Sequence, residues 1–129
     1  MEWLGSNSMY MMERSMNFLW MKQTATLDNI ANAETPGYKA KYVTFEETLR
    51  EKIRASANNL DSVSAFRDAL ENTNPQVQES PEESIRMDGN SVNLSNESLE
   101  LSRNAYQLQF VMKSISDDFS TLRTAIRGQ

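Results

Sequence analysis

Residues 94–126 read LSNESLELSRNAYQLQFVMKSISDDFSTLRTAI. Alternating steps of four and three from Leu94 pick out Leu94, Ser98, Leu101, Ala105, Leu108, Met112, Ile115, Phe119, Leu122 and Ile126, nine of the ten apolar. A 3.5-residue repeat sustained this long keeps one seam of a helix turned toward a partner helix. An ordinary core stripe has a similar period, so spacing alone leaves both readings open. Asn93 or Ser95 stands where an N-cap belongs, Arg123 and Arg127 suit the negative end of the helix dipole, and Gly128 is placed to end it. At 1.5 Å per residue the helix spans roughly 50 Å. A chain of 129 residues is too small to bury such a seam along its whole length.

The natural partner within the chain lies at the other end. Met9, Met12, Met16, Leu19, Gln23, Thr26 and Ile30 follow the same alternating steps, which predicts a helix over 9–33 with a weak spot at Gln23 and Thr26. Phe18, Trp20 and Leu27 widen its apolar stripe. Pro36 has no N–H and steers Thr35 out of the helical region, while Gly37 tolerates positive φ. Thr35-Pro36-Gly37-Tyr38 therefore reads as a type II turn.

Residues 39–44 read as extended or irregular. Phe45, Leu49 and Ile53 predict a short helix over 45–57, and Val63, Phe66 and Leu70 a second over 62–71, with Asn58-Asn59 as the break. Residues 72–91 have linker composition, from Asn72-Thr73-Asn74-Pro75 through Glu82-Glu83 to Asp88-Gly89-Asn90, and are expected to be the most mobile part. Short extended pieces are expected around Val77 and Ile85.

Net charge is −5 and is unevenly placed. Residues 1–44 balance four basic against four acidic groups, 45–102 hold five against twelve, and 103–129 hold four against two. The ends can therefore approach each other, or further copies, without strong repulsion, and the overall sign argues against a general nucleic-acid or anionic-membrane binder. Six of the eight methionines fall within the first 21 residues. Such flexible thioethers suit either a surface that repacks against several neighbours or an unremarkable core.

The absence of Cys and His removes thiolate nucleophiles, disulfides, imidazole acid–base schemes and most zinc sites. The carboxylate pairs Glu46-Glu47, Glu82-Glu83 and Asp117-Asp118 read as solvated faces, since adjacent helix residues do not face each other. With four glycines there is no phosphate-cradling loop. No cofactor or metal and no enzymatic activity is expected. The start, Met1-Glu2-Trp3-Leu4-Gly5, lacks the basic opening of a cleaved signal peptide, and no apolar run reaches the length of a membrane span. The chain is expected to be cytoplasmic, or exported by a route that reads no such signal.

The string around the turn, Asp28-Asn29-Ile30-Ala31-Asn32-Ala33-Glu34-Thr35-Pro36-Gly37-Tyr38-Lys39, is far more specific than a helix stop. It resembles the N-terminal signature of the flagellar rod and hook axial proteins, an Ala-Asn pair followed two residues later by Thr-Pro-Gly-Tyr. Farther on, Asp88-Gly89-Asn90-Ser91-Val92-Asn93-Leu94, Asn104-Ala105-Tyr106 and Leu122–Gly128 resemble the proximal-rod members of that family, and the short length agrees. The resemblance covers both ends well and residues 50–85 poorly.

The resemblance implies a mainly α fold in which long N- and C-terminal helices pair as an elongated coiled-coil hairpin, with a small irregular middle containing short helices. It divides the chain into an N-terminal helix plus turn (1–38), a middle region (39–91) and a C-terminal helix (92–129). It implies a structural subunit of the flagellar basal-body rod that polymerises through its terminal helices into the proximal drive shaft. Asn29, Ile30, Ala31, Asn32 and Thr35 to Tyr38 are then the family motif, and the two apolar stripes, with Gln23, Thr26 and Ser98 set aside, are the assembly seam. Implied partners are FlgC-like rod subunits, further copies, the rod-base protein FliE and the MS ring, with export through the flagellar type III apparatus. A FlgC-like rod subunit and a cytoplasmic helical export chaperone stay open as alternatives.

Overall fold

In the computed structural model, which describes residues 7–56, 62–81 and 86–128, the elements run α1 (Asn7–Ala31), β1 (Lys41–Thr44), α2 (Glu46–Ser56), α3 (Ser62–Asn72), β2 (Gln76–Glu79) and α4 (Leu94–Arg127). The fold is mainly α, and its frame is the hairpin of α1 and α4. The expected break at Asn58-Asn59, the pair Glu82-Glu83, the residue Ile85 and the side chains of Ile53 and Val63 lie outside the described residues.

Local chemistry sets the ends of α4. The Asn93 side chain accepts from the Asn96 backbone N–H, and Gly128 takes a left-handed conformation that sends its N–H back to the Thr124 carbonyl. Between these caps the helix runs for 34 residues. Helix α1 is shorter at its C-terminus than its stripe predicts, because residues 32–34 leave the helix to form the turn.

The two long helices run antiparallel. Asn104 lies across from Leu19 and Gln23, donating to the Leu19 carbonyl at 3.0 Å and to Gln23 Oε1 at 2.6 Å. One turn back, Lys22 pairs with Glu100 at 2.8 Å. The weak spot in the α1 stripe is thus the counterpart of a buried polar layer, with Asn104 at 0% exposure and Thr26 also buried one turn along α1 from Gln23. Asn104 Oδ1 has no hydrogen-bond partner among the described residues. Such a layer opposes slippage, because any other register would bury the amide against apolar groups.

The smaller elements close the other flank of α1. Phe18 stacks on Phe45 with centroids 5.3 Å apart, and Leu49, Ala69, Leu70 and Leu108 complete the core. Trp20 and Leu27, expected to widen the buried stripe, are about half exposed instead. The stripe faces α4, the Phe18 side faces α2 and α3, and Trp20 stands at the edge of the ribbon beside Lys41 and Val77. Glu46 and Glu47 in the first turn of α2 and Arg54 in its last match the helix dipole.

Residues 72–91 hold more structure than their linker composition predicts. Gln76–Glu79 pairs antiparallel with Lys41–Thr44, setting Lys41 opposite Glu79 and Val43 opposite Val77. A two-stranded ribbon is marginal by itself; here α1 supports it through Asn29, described below. Among the described residues no helix is long and apolar enough to cross a membrane.

Candidate functional site

Two features are candidates: the joint where α1 meets the start of α4, and the apolar surface left uncovered along α4.

The joint is built from two short strings of sequence. Gly37 has φ of 73°, and the Tyr38 N–H reaches back to the Thr35 carbonyl at 3.3 Å, which closes the Thr35–Tyr38 turn. Asp88-Gly89-Asn90 lies directly on it. The Gly37 N–H donates to the Asp88 carbonyl at 2.8 Å, and the Ser91 N–H to the Tyr38 carbonyl at 3.0 Å. Gly89, with φ of 79°, comes so close that an added Cβ would sit 3.4 Å from the Gly37 Cα.

Asn90 ties down the turn that follows α1. Buried backbone carbonyls need donors, and the buried Asn90 amide points its Nδ2 at the carbonyls of Asn32 (2.8 Å), Ala33 (3.1 Å) and Thr35 (2.8 Å). Its Oδ1 accepts from the Val92 N–H at 2.8 Å. Arg86 adds a charged donor to the Ala33 carbonyl at 2.6 Å and pairs with Glu34 and Asp88.

Asn29 does the corresponding work for the ribbon. Its Nδ2 donates to the Lys41 carbonyl at 2.7 Å, and its Oδ1 accepts from the Lys41 N–H at 2.8 Å. The side-chain amide thus imitates one rung of a β-ladder. Only a carboxamide offers a donor and an acceptor with this reach, so aspartate cannot replace it. The Tyr38 hydroxyl also donates to Asn29 Oδ1, at 3.3 Å. Burial, and then the nearby carboxylates of Asp28, Glu97 and Glu79, push the Tyr38 phenol up.

Glu97, on the first turns of α4, reaches the same asparagine. Burial holds its carboxyl above the usual carboxylate range, with the Asn29 hydrogen bond pulling the other way. Glu100 behaves oppositely: the Lys22 hydrogen bond holds it below that range. The two therefore contribute opposite slopes. Glu100 adds stability at neutral pH that is lost as pH falls through its folded-state pKa, whereas Glu97 costs stability above its raised pKa and stops doing so below it. Glu97→Gln keeps an acceptor for Asn29 without the charge. It is expected to stabilise the fold at pH 7 by less than about 1 kcal/mol, the group being partly solvated. The gain should shrink as pH falls through the raised folded-state value and be gone below the ordinary carboxylate range, where both states hold the proton. Urea unfolding at neutral pH and below that range checks this.

The glycine pair gives a second test. Gly37→Ala meets open space and is strained only by its positive φ, whereas Gly89→Ala also brings its Cβ to 3.4 Å from the Gly37 Cα, the near limit of ordinary contact. The expected losses are about 1 kcal/mol for Gly37→Ala and about 2 kcal/mol for Gly89→Ala. Equal midpoints in thermal unfolding would show that the close approach carries no cost.

Of the motif residues, then, Asn29 is buried at the joint, Asn32 bonds the Asp28 carbonyl and receives the Thr35 hydroxyl, and Tyr38 is half-buried. Ile30 is half-buried, while Ala31, Thr35, Pro36 and Gly37 are exposed. Asn90 carries more of the joint than any of them, yet from the sequence it reads only as a loop end and part of a resemblance. Its signal was its place three residues before the Asn93 cap.

The seam divides. On α1, Leu19 is buried, and Met9, Met12, Met16 and Ile30 are half-buried. On α4, Leu101, Leu108, Ile115 and Leu122 are buried or half-buried, whereas Leu94, Ala105, Met112, Phe119 and Ile126 are exposed. Two causes act. An α-helix repeats at 3.6 rather than 3.5 residues, so a straight seam drifts around it; Ala105 and Met112 sit at the flank while Asn104 and Val111 turn inward. Phe119 and Ile126 lie at the far end of α4, beyond the stretch that Asn104 and Glu100 hold to α1, with Ile126 72% exposed. Glu46, Glu47, Asp117 and Asp118 are all exposed.

No family model matches the chain. Curated relatives do. The chain is 31% identical over 127 residues to the flagellar basal body rod protein FlgB of Bacillus subtilis (strain 168), covering 97% of each. It is 31% identical over 103 residues to that of Aeromonas hydrophila, 78% of each, and 21% identical over 124 residues to that of Escherichia coli (strain K12), 90% of each. The matched stretch in Bacillus spans nearly the whole chain and so takes in both the turn and the helix α4 that it joins. At 31% identity over 97% of both chains, this chain belongs to the flagellar basal body rod protein FlgB family.

Proposed function

We propose that the chain polymerises through its terminal helices into the proximal part of the flagellar rod. The supporting observation is the apolar face of α4 that its own chain leaves uncovered, from Met112 through Phe119 to Ile126. A helical face of that kind is stabilised by burial against a partner, at roughly 25 cal/mol per Å² of apolar surface. The joint at Asn90 sets the angle at which the middle region leaves the hairpin, so that copies present α2 and α3 in the same place.

The protein takes no catalytic part and acts as a passive link in torque transmission. Its partners are further copies, FlgC-like subunits, the rod-base protein FliE and the MS ring. It reaches the rod through the flagellar type III apparatus without a cleaved signal peptide. The relatives' names support the rod over the cytoplasmic chaperone that the sequence also allowed.

Mass spectrometry of purified basal bodies, compared with a strain lacking the gene, tests this reading. A few copies per basal body are expected. Recovery only from the soluble cytoplasm of flagellated cells would overturn it.

A further inference from the structure

A groove of about 690 Å³ opens between α1, α2 and α4. Met11, Phe18 and Leu49 form its floor. Tyr106 and Phe110 of α4 stand along one wall, 75% and 73% exposed. Arg50 and Arg54 of α2, one turn apart and both exposed, form the other rim, with Glu46 a further turn back. Neither arginine makes an ion pair among the described residues. Two exposed aromatics facing two unpaired arginines across an apolar floor suit a helix with an apolar ridge, a carboxylate on one flank and cations on the other.

The chain carries such a helix at the end of α4. Phe119, Leu122 and Ile126 recur at steps of three and four and form the ridge. Asp118 lies on one flank of it, and Arg123 and Arg127 lie on the other. Asp118 makes no ion pair among the described residues, whereas its neighbour Asp117 is held by Lys113 at 3.0 Å. The ridge cannot enter the groove of its own chain. Tyr106 and Phe110 belong to the same unbroken helix, which would have to fold back on itself.

We infer that the groove receives the α4 end of a second copy of this chain, with Asp118 against Arg50 and Arg54 and the Arg123–Arg127 flank over Tyr106 and Phe110. The inference rests on the assembly reading above and deepens it by naming the contact. Carboxylate–guanidinium pairing fixes the side on which the guest lies, and guanidinium stacking on the aromatic faces uses the opposite flank. Donor and acceptor are different surfaces, so the contact is heterologous. Each copy that docks leaves one groove and one ridge unfilled, and growth continues in one direction.

The chain has no cysteine, so an introduced pair reports cleanly. In the native bacterium, the sole copy of the gene is replaced by Arg54→Cys/Asp118→Cys, with Arg50→Cys/Asp118→Cys as an independent pair. Cells are oxidised, basal bodies are isolated, and disulfide-linked peptides are mapped. Chain-to-chain links joining the α2 position to position 118 are expected. A parallel strain carries Arg50→Glu/Arg54→Glu. Its swimming should be lost, and should return when Asp118→Arg is added, which a folding defect would not allow. Motile cells whose basal bodies contain the chain but show no such link, or only links between two copies of position 118, would overturn the contact and leave the rod assignment standing. A link within one chain would also overturn it. Absence of even the unaltered chain from basal bodies would overturn both readings.

Discussion

Asn90→Ala is expected to destabilise the fold by about 2–4 kcal/mol, more than any other single substitution at the joint. Three carbonyls converge on one amide nitrogen that carries two protons, so one proton is shared, and all three oxygens lose a donor at once. The Val92 N–H loses its acceptor as well. Because the site is buried, water does not replace these bonds freely. Asn90→Asp separates shape from hydrogen bonding. It keeps the size and the acceptor for Val92, but it removes both donors and sets a carboxylate against three carbonyl oxygens. At neutral pH it should be at least as damaging as Asn90→Ala. Repulsion raises the carboxyl pKa in the folded state, so part of the loss should be recovered as pH falls through that pKa and a proton returns to donate. Urea midpoints at two pH values, with unchanged slopes, measure both effects. An aspartate variant as stable as the parent would refute the capping role.

The second large effect separates folding from assembly on one helix. Leu108 is buried in the core formed with Phe18, Leu19 and Leu70. Leu108→Ala is expected to cost about 2–4 kcal/mol of fold stability, through lost transfer energy and the cavity left behind. Phe119→Glu lies eleven residues on, at a site 55% exposed. Its effect on isolated-chain stability should stay within about 0.5 kcal/mol, yet it places a charge in the middle of the uncovered ridge. Swimming in soft agar should fall to the level of a strain lacking the gene. Denaturation of the purified variants and the agar assay together give the contrast. A Phe119→Glu strain that swims normally would remove the ridge from assembly.

Much of the frame was legible because its signals are local and repetitive. The seam of α4, its Asn93 and Gly128 caps and the Pro36-Gly37 stop each follow from neighbours within one or two turns. The hairpin and its short-helix middle follow from those elements and from the resemblance. What stayed hidden depends on contacts between distant residues. Gln23 and Thr26 looked like a flaw in an apolar stripe until Asn104, 81 residues from Gln23, supplied the partner. Asp88-Gly89-Asn90 reads as loop because its composition is that of a loop; only the proximity of Gly37 turns it into a cap. Extended pieces at 39–44 and around Val77 were legible, but their pairing into a ribbon was not, because it joins residues more than 30 positions apart and Gln76–Glu79 is exposed throughout. The groove was invisible for the same reason, since its floor comes from α1 and α2 and its aromatic wall from α4.

The Asn90 clasp also orders events in time. Helical turns form within microseconds from neighbouring residues, but the carbonyl of Asn32 meets its amide only across 58 residues of chain. Until that loop closes, the turn carbonyls lack this donor and the hairpin has no fixed corner. A polypeptide passing through a narrow channel, whichever end leads, cannot bring these two positions together before the whole intervening length has emerged. The clasp is therefore a late event in folding: the helices form first, and the corner locks only when the chain between Asn32 and Asn90 is free to close.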